Sequence, residues 1–228
     1  MVAVTRSYYM LVSSLPQLPV RFDSGRLPIS WPTLRERLRM LEPEDQVVTR
    51  QLGQYFLWDN QPLDRTDAEV IARYHELLVK AANPLVRHLI QTRTEMRLLL
   101  SAIRRQRAGL GPPDWAGNVI GSEELTNHLR KHWYQPYFNL GARYRWVEAF
   151  TKLYDSGDTV EAQRVLFAQR WSDWTKIAEQ HSFSFEAVIA YLVRWEIVDR
   201  WASQNAKAGQ ARFANLIEET LGEYAKPF

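Results

Sequence analysis

The sequence contains no cysteine, which excludes disulfide bonds, thiolate metal sites and cysteine nucleophiles. It also lacks any stretch approaching the roughly 20 consecutive apolar residues that a membrane-spanning helix needs. The apolar run Tyr8–Val12 is too short for a secretory signal and follows a single basic residue, Arg6. These absences predict a soluble cytoplasmic protein, peripheral at the inner membrane only where a complex holds it there.

Motifs that mark common enzyme classes are also missing. There is no glycine-rich phosphate loop and no Gly-x-Ser-x-Gly nucleophile elbow. No Glu-x-x-His occurs, so a di-iron carboxylate bundle is unsupported. We therefore expect a protein that is not itself an enzyme, with no cofactor and no small-molecule substrate.

One histidine pair has a spacing that can bind a metal ion. His128 and His132 lie on one face of a predicted helix, with Glu124 one turn before them. The pair lacks the acidic residue that a zinc protease helix carries between its histidines. We interpret these residues as a half-exposed polar face and keep a metal site as the alternative.

The charge balance is close to neutral. The 228 residues carry a net charge of +3, and 46% of them are hydrophobic, which is typical of a globular protein. The basic residues are densest at Arg104, Arg105 and Arg107, preceded by Arg93 and Arg97. We interpret this row as a solvated helix end, and nucleic-acid binding is the alternative.

Tryptophan is unusually abundant. The nine residues are Trp31, Trp58, Trp115, Trp133, Trp146, Trp171, Trp174, Trp195 and Trp201. Most are expected to anchor the core. Because tryptophan is enriched at protein interfaces, some are expected to face a partner.

Helical patterns dominate the chain. They predict an all-α fold, an irregular array of helical hairpins with a short extended segment at the N-terminus. Residues 7–15 fit either a short strand or helical turns, and the prolines of residues 15–28 predict an irregular segment. Helix starts are predicted at Ser30, Glu42, Thr66, Asn83, Ser122, Asn139, Asp158, Ser184 and Ala206.

The helix after Asn83 has the clearest periodicity. Apolar residues spaced four and three apart predict a coiled-coil-like seam, interrupted by one threonine: Leu85, Leu89, Thr92, Met96, Leu99 and Ile103. Glycines and prolines are then concentrated in residues 109–121. We predict a single helical domain over residues 1–228, with possible lobes 1–110 and 121–228 joined by this connector.

The segment from Ser184 to Arg200 is apolar around most of its circumference, which is typical of a helix deep in a core. Charged residues interrupt it, and Glu196 and Arg200 have the favourable spacing for an ion pair on a helix surface. The alternative is a helix that presents a docking surface. The candidate partner-contact residues are Tyr191, Arg194, Trp195, Glu196, Arg200 and Trp201.

Two segments carry a family resemblance. Val188–Glu196 resembles the C-terminal helix of the C subunit of V/A-type ATPases, the counterpart of the eukaryotic d subunit. Tyr8–Pro16, with the pattern Tyr-Tyr-x-Leu-Val-x-Ser-Leu-Pro, and Phe183–Trp201 are similar to an uncharacterised bacterial family encoded beside V-type ATPase subunits.

The resemblance implies a non-catalytic helical protein that replaces or accompanies the C subunit, between the rotor ring and the central shaft. It implies V-type ATPase subunits as partners, and contact with the membrane only through them. The chain is shorter than a three-lobed C subunit. The alternative from the residues alone is a free-standing helical adaptor or chaperone with a groove lined by tryptophans.

Overall fold

The computed structural model describes residues 7–24, 27–56, 67–113 and 121–224, and this part of the chain is mainly helical. The all-α prediction is confirmed. In chain order the α-helices are α1 (Tyr9–Ser14), α2 (Trp31–Leu38), α3 (Pro43–Phe56), α4 (Asp67–Lys80), α5 (Pro84–Arg107), α6 (Glu123–Lys131), α7 (Arg145–Asp155), α8 (Thr159–Gln180) and α9 (Phe185–Tyr224). The one isolated strand-like bridge in these ranges joins Ser7 to Ser184.

Side-chain caps start several helices where the sequence predicts them. The Asn83 side chain accepts hydrogen bonds from the backbone N–H groups of Leu85 and Val86, at 2.9 and 3.2 Å. Ser122 caps α6 and Asp158 caps α8 in the same manner. Ser30 precedes α2 as predicted, but its hydroxyl contacts Thr33 instead of capping the helix. The predicted cap Thr66 lies outside the described residues.

Two predicted boundaries are wrong. The helix predicted from Asn139 begins at Arg145, because Tyr137, Phe138 and Asn139 have φ near +50°, in the left-handed region. The break predicted between Ser203 and Ala206 does not exist, since α9 continues to Tyr224. The Ser203 hydroxyl donates to the carbonyl of Asp199 within the helix, so this serine satisfies its polar group without ending the helix.

The buried side chains form two clusters. The first joins residues 8–90 to residues 167–201, and the second extends over residues 99–162. Helices α5 and α8 contribute to both clusters, so the clusters divide within these two helices, whereas the predicted lobe boundary lies at 109–121. Long helices that belong to both clusters join them along the length of the chain.

The predicted seam of α5 is only partly buried. Leu89, Leu99 and Ile103 are buried, but Leu85, Thr92 and Met96 are half-buried. The helix turns Thr94 inward in place of Thr92, and its hydroxyl donates to the carbonyl of Ile90 at 2.7 Å. The regular seam fails because α5 packs against different neighbours at its two ends.

The N-terminal segment is helical first and irregular afterwards. Of the two possibilities for residues 7–15, the structure has a helix, α1. The described part of residues 15–29 contains no helix, as its prolines predict. This segment packs on α8 and α9 and contributes Leu18, Phe22 and Ile29 to the first cluster.

Candidate functional site

Helix α9 lies at the centre of the first cluster. The buried side chains of its first four turns point in almost every direction around the helix: Val188, Ile189, Ala190, Val193, Trp195, Ile197 and Val198. Neighbours surround it, with α8 antiparallel on one side and α5 and the N-terminal segment on others. Charged side chains in this helix are therefore held near the protein interior.

Three arginines converge on the carboxylate of Glu196 in α9. Arg93 of α5 donates to both carboxylate oxygens at 3.0 and 3.3 Å, and Arg170 of α8 donates to Oε2 at 2.6 Å. Arg200, one turn further along α9, contacts Oε1 at 3.2 Å. We call these four residues the Glu196 cluster. It joins three helices through a single side chain.

The Glu196 cluster is mostly shielded from solvent. The side chains of Glu196, Arg93 and Arg170 are only 15%, 10% and 12% exposed. The sequence predicts a surface ion pair between Glu196 and Arg200, and the pair exists but lies in this interior network. Interior ion pairs require good geometry because each charge loses its hydration.

The cluster has an excess of positive charge. Its three arginines and one glutamate leave two positive charges, and Asp199 lies beside the cluster on α9, between Glu196 and Arg200. Burial raises the pKa of the Asp199 carboxyl, the Glu196 carboxylate raises it further, and Arg200 opposes both. The surroundings of Asp199 thus disfavour the ionised form of its carboxyl, even beside the arginines.

Arg194 occupies a separate place, against α8. Its guanidinium carbon lies 4.6 Å from the centre of the Trp171 ring, a cation–π arrangement. Its buried Nε has no hydrogen-bond partner within the described residues. Burial lowers the pKa of Arg194, although Glu179 acts in the opposite direction. The aromatic face replaces a carboxylate as the neighbour of this cation.

Aromatic donors on α8 and α9 hold the irregular N-terminal segment. The Tyr191 hydroxyl donates to the carbonyl of Pro16 at 3.0 Å, and Trp195 Nε1 donates to the carbonyl of Ile29 at 2.9 Å. Trp171 Nε1 donates in the same manner to the carbonyl of residue 20, at 3.3 Å. A segment without helix or sheet needs such partners, because buried carbonyls without hydrogen bonds are costly. Burial raises the pKa of Tyr191 to about 12.

The start of the N-terminal segment contacts the turn before α9. The Tyr8 backbone N–H donates to the carbonyl of Phe183 at 2.5 Å, and the rings of Tyr9 and Phe183 lie 4.9 Å apart. Further along, the rings of Phe22 and Trp201 are nearly perpendicular, with their centres 5.3 Å apart. The two segments that carry the family resemblance, Tyr8–Pro16 and Phe183–Trp201, therefore lie against each other.

The six candidate partner-contact residues all make contacts within the chain. Glu196 and Arg200 meet in the Glu196 cluster, and Arg194 lies on Trp171. Tyr191, Trp195 and Trp201 hold the N-terminal segment. Because the two tryptophan rings are buried, little of their surface is left for a partner.

Sequence reasoning missed two members of the Glu196 cluster, Arg93 and Arg170. Arg93 lies one turn after the buried Leu89 and Ile90, so it is a charge on an apolar helix face. Such a position is the available sequence signal for an interior ion pair. Its partner, Glu196, lies 103 positions further along the sequence, so no local pattern predicts the pairing.

The arginine row of α5 does not form one basic face. Arg93 points to Glu196, while Arg107 pairs with both carboxylate oxygens of Asp155 at 2.6 and 2.7 Å. Arg105 donates to the backbone carbonyl of Gly111. These contacts spread the row around the helix and reduce the charge it offers to a polyanion.

The residues of the alternative metal site each have another partner. The His128 and His132 rings lie 4.4 Å apart, but His128 Nε2 donates to the carbonyl of Phe138 and His132 Nδ1 to the side chain of Gln135. Glu124 pairs with Arg143 at 2.8 Å. Throughout the described ranges, no group of three or more histidine, aspartate or glutamate side chains is placed to hold a metal ion.

Most tryptophans are core anchors, as predicted. Trp133, Trp146, Trp171 and Trp174 are buried, like Trp195 and Trp201, and the exception in the described ranges is Trp31. Trp58 and Trp115 lie outside those ranges. In the part of the chain that the structure describes, we also find no helix with the length and apolar character needed to cross a membrane.

Comparison with known proteins identifies one family. The family described as "Protein of unknown function (DUF2764)" matches residues 45–223, which is more than half of the chain. The match includes Phe183–Trp201 and begins after Tyr8–Pro16. No curated protein and no solved structure matches the chain significantly. Because the match covers more than half of the chain, the chain belongs to the DUF2764 family of proteins of unknown function.

Proposed function

We propose that the protein is a non-catalytic accessory or central-stalk component of a V-type ATPase, similar to the C subunit, which couples the soluble motor to the membrane rotor. One observation carries the proposal. The two segments that resemble proteins of this system, Tyr8–Pro16 and Phe183–Trp201, are distant in sequence and meet in space. Their joint packing gives them a shared structural unit.

The contacts that join this unit to its neighbouring helices support a coupling role. A protein that transmits force between two partners needs helices that do not slide past each other. The Glu196 cluster joins α5, α8 and α9, and the N-terminal segment adds hydrogen bonds across α8 and α9. Close-packed interiors of this kind transmit displacement instead of absorbing it.

Purification from the native cell tests the proposal. A tagged copy of the full chain is expected to retain the catalytic and central-shaft subunits of the V-type ATPase in stoichiometric amounts. In membranes from a strain lacking the gene, ATP hydrolysis is expected to persist while ion transport falls, because the motor loses its connection to the rotor. An intact, transporting complex that lacks this protein would disprove the assignment.

A free-standing helical adaptor is the second candidate. Three apolar side chains, Tyr9, Met10 and Phe183, are exposed together where α1 meets the turn before α9. Phe183 has a φ of +54°, a backbone conformation that residues other than glycine rarely adopt. Retention of one soluble protein and no ATPase component, at equal recovery of the tagged chain, would favour this candidate.

A further inference from the structure

A groove of about 500 Å³ is lined by residues of α2, of α3 and of the connection between them. Its volume falls within the usual range of ligand sites, roughly 300–1,000 Å³. The side chains that matter for its chemistry are Trp31, Arg35, Leu38, Arg39, Leu41 and Arg50. None of them belongs to the Glu196 cluster or holds the N-terminal segment.

The short connection between α2 and α3 shapes the groove. The Gln46 side chain donates to the carbonyls of Arg39 and Leu41, at 3.1 and 2.7 Å, which fixes the turn. Leu38 and Leu41 are buried and form an apolar floor. The groove therefore has a hydrogen-bonded turn at one end and an apolar base.

The walls of the groove are basic. Arg35 and Arg50 are exposed and have no carboxylate partner within the described residues. Arg39 pairs with Glu36 at 2.8 Å, but both side chains are well exposed, so water screens this pair. No acidic residue of the described ranges lines the groove, so Arg35 and Arg50 present positive charge that no lining carboxylate neutralises.

Trp31 gives the groove an aromatic edge. It is 45% exposed, whereas the six other described tryptophans are buried. One side of its ring packs near Trp195, with the ring centres 5.6 Å apart, so the core holds the ring in place. A fixed aromatic side chain with a free surface binds apolar groups at low entropic cost.

We propose that this groove, defined by Trp31, Arg35, Leu38, Arg39, Leu41 and Arg50, binds an acidic segment of a partner protein. Glutamate or aspartate side chains of the partner pair with the arginines, and an apolar side chain lies on Leu38 and Leu41 beside the Trp31 ring. Charge complementarity carries the proposal, because arginine donates two parallel hydrogen bonds to a carboxylate. Tryptophan and arginine are also the residues most enriched at interface hot spots.

The open shape of the groove favours a partner segment of several residues over a small anion. Its three arginines are exposed to solvent, so a single bound phosphate would remain largely hydrated. A peptide engages several arginines and the apolar floor together, and its binding energy is the sum of these contacts. The proposal does not depend on which complex the protein joins, so it is compatible with either candidate function.

The test uses the full-length protein and a panel of short fluorescein-labelled amphipathic peptides, with glutamates spaced one helical turn apart and a leucine or phenylalanine between them. Matched peptides carry glutamine in place of glutamate. We expect the glutamate peptides to bind more tightly than the glutamine peptides in fluorescence anisotropy titrations. The double variant Arg35→Gln/Arg50→Gln is expected to lose about tenfold or more in affinity, because it removes two charge-assisted hydrogen-bond donors.

Arg104→Gln/Arg145→Gln is the matched control, because it makes the same chemical change at two exposed arginines outside the groove. It is expected to retain wild-type affinity. Trp31→Ala is expected to weaken the leucine and phenylalanine peptides more than peptides with alanine at that position. Far-UV circular dichroism establishes that each variant is folded.

Three outcomes would overturn the proposal. In the first, the glutamate peptides bind no better than their glutamine counterparts. In the second, the groove and control variants lose affinity equally, which would indicate general charge attraction. In the third, inorganic phosphate or single-stranded oligothymidylate binds the groove more tightly than every peptide and loses affinity in the Arg35→Gln/Arg50→Gln variant. That result would assign the groove to a phosphate group.

Discussion

The Glu196 cluster gives the sharpest test of how this fold is held together. Glu196→Gln keeps the size of the side chain and removes its charge, so Arg93, Arg170 and Arg200 lose their shared carboxylate. Removing one partner of a buried ion pair typically costs about 3–5 kcal/mol, because the remaining charge stays buried. The low exposure of these side chains, 10–15% for three of the four, places the cluster in that class. This cost is a large share of a typical unfolding free energy of about 5–15 kcal/mol.

Urea unfolding followed by far-UV circular dichroism measures the effect. With a urea dependence of about 3 kcal/mol per molar, the transition midpoint is expected to fall by roughly 1–2 M. Glu76→Gln is the matched control, since Glu76 also pairs with two cations, Arg73 and Lys80, at 2.7 and 2.6 Å. The side chains of Glu76 and Lys80 are 40% and 55% exposed and that of Arg73 is 28% exposed, all more than the 10–15% of Arg93, Arg170 and Glu196. Water therefore screens the Glu76 pairs more strongly, and we expect a much smaller change in the midpoint.

A double-variant cycle tests the physical reason for the loss. If the loss of the shared carboxylate beside shielded arginines is what destabilises Glu196→Gln, then adding Arg93→Gln removes one of the arginines that lost it. The double variant should therefore lose less stability than the sum of the two single variants. An unchanged midpoint in Glu196→Gln, or strictly additive losses in the cycle, would refute the interpretation of these contacts as an interior ionic network.

Other predictions concern groups around this network and the helix caps. Burial and the Glu196 carboxylate raise the pKa of Asp199, so as pH rises this carboxyl ionises in the unfolded chain before it ionises in the native protein. The protonated Asp199 therefore contributes its full stability below about pH 3.9, and this contribution is lost as pH rises through the native pKa. Asp199→Asn should therefore stabilise the protein at pH 7 but not at pH 3.5, as thermal unfolding at the two pH values will show. Tyr191→Phe should cost about 0.5–1.5 kcal/mol in urea unfolding, through the lost hydrogen bond to the N-terminal segment. Asn83→Ala should cost about 1 kcal/mol in the same assay, whereas Ser30→Ala should cost little because Ser30 makes no side-chain cap.

Helix starts were the part of the fold that the sequence predicted best. Asn83, Ser122 and Asp158 cap helices within three residues of themselves, so the information is local. The start of α7 was predicted wrongly because Phe138 is buried against Trp133, and this packing accompanies a left-handed backbone that aromatic residues such as Tyr137 and Phe138 rarely adopt. Tertiary contacts decide the conformation there.

The candidate site was predicted in part, for a similar reason. Glu196 and Arg200 are one turn apart, so their pairing follows from helix geometry alone. Arg93 and Arg170 reach the same carboxylate from two other helices, and which helices become neighbours is decided by packing along the whole chain. The sequence also indicated an exposed tryptophan without showing which of the nine it is.

Stability alone does not account for an interior network with two excess positive charges. Apolar side chains of similar volume in place of buried ion pairs are often neutral or stabilising, because no charge then loses its hydration. What apolar side chains lack is direction, since they pack almost equally well after a small shift of one helix along another. Arg93 of α5 and Arg170 of α8 can both reach the Glu196 carboxylate of α9 only when the three helices have one axial register. We therefore interpret the Glu196 cluster as the feature that fixes the register of these helices.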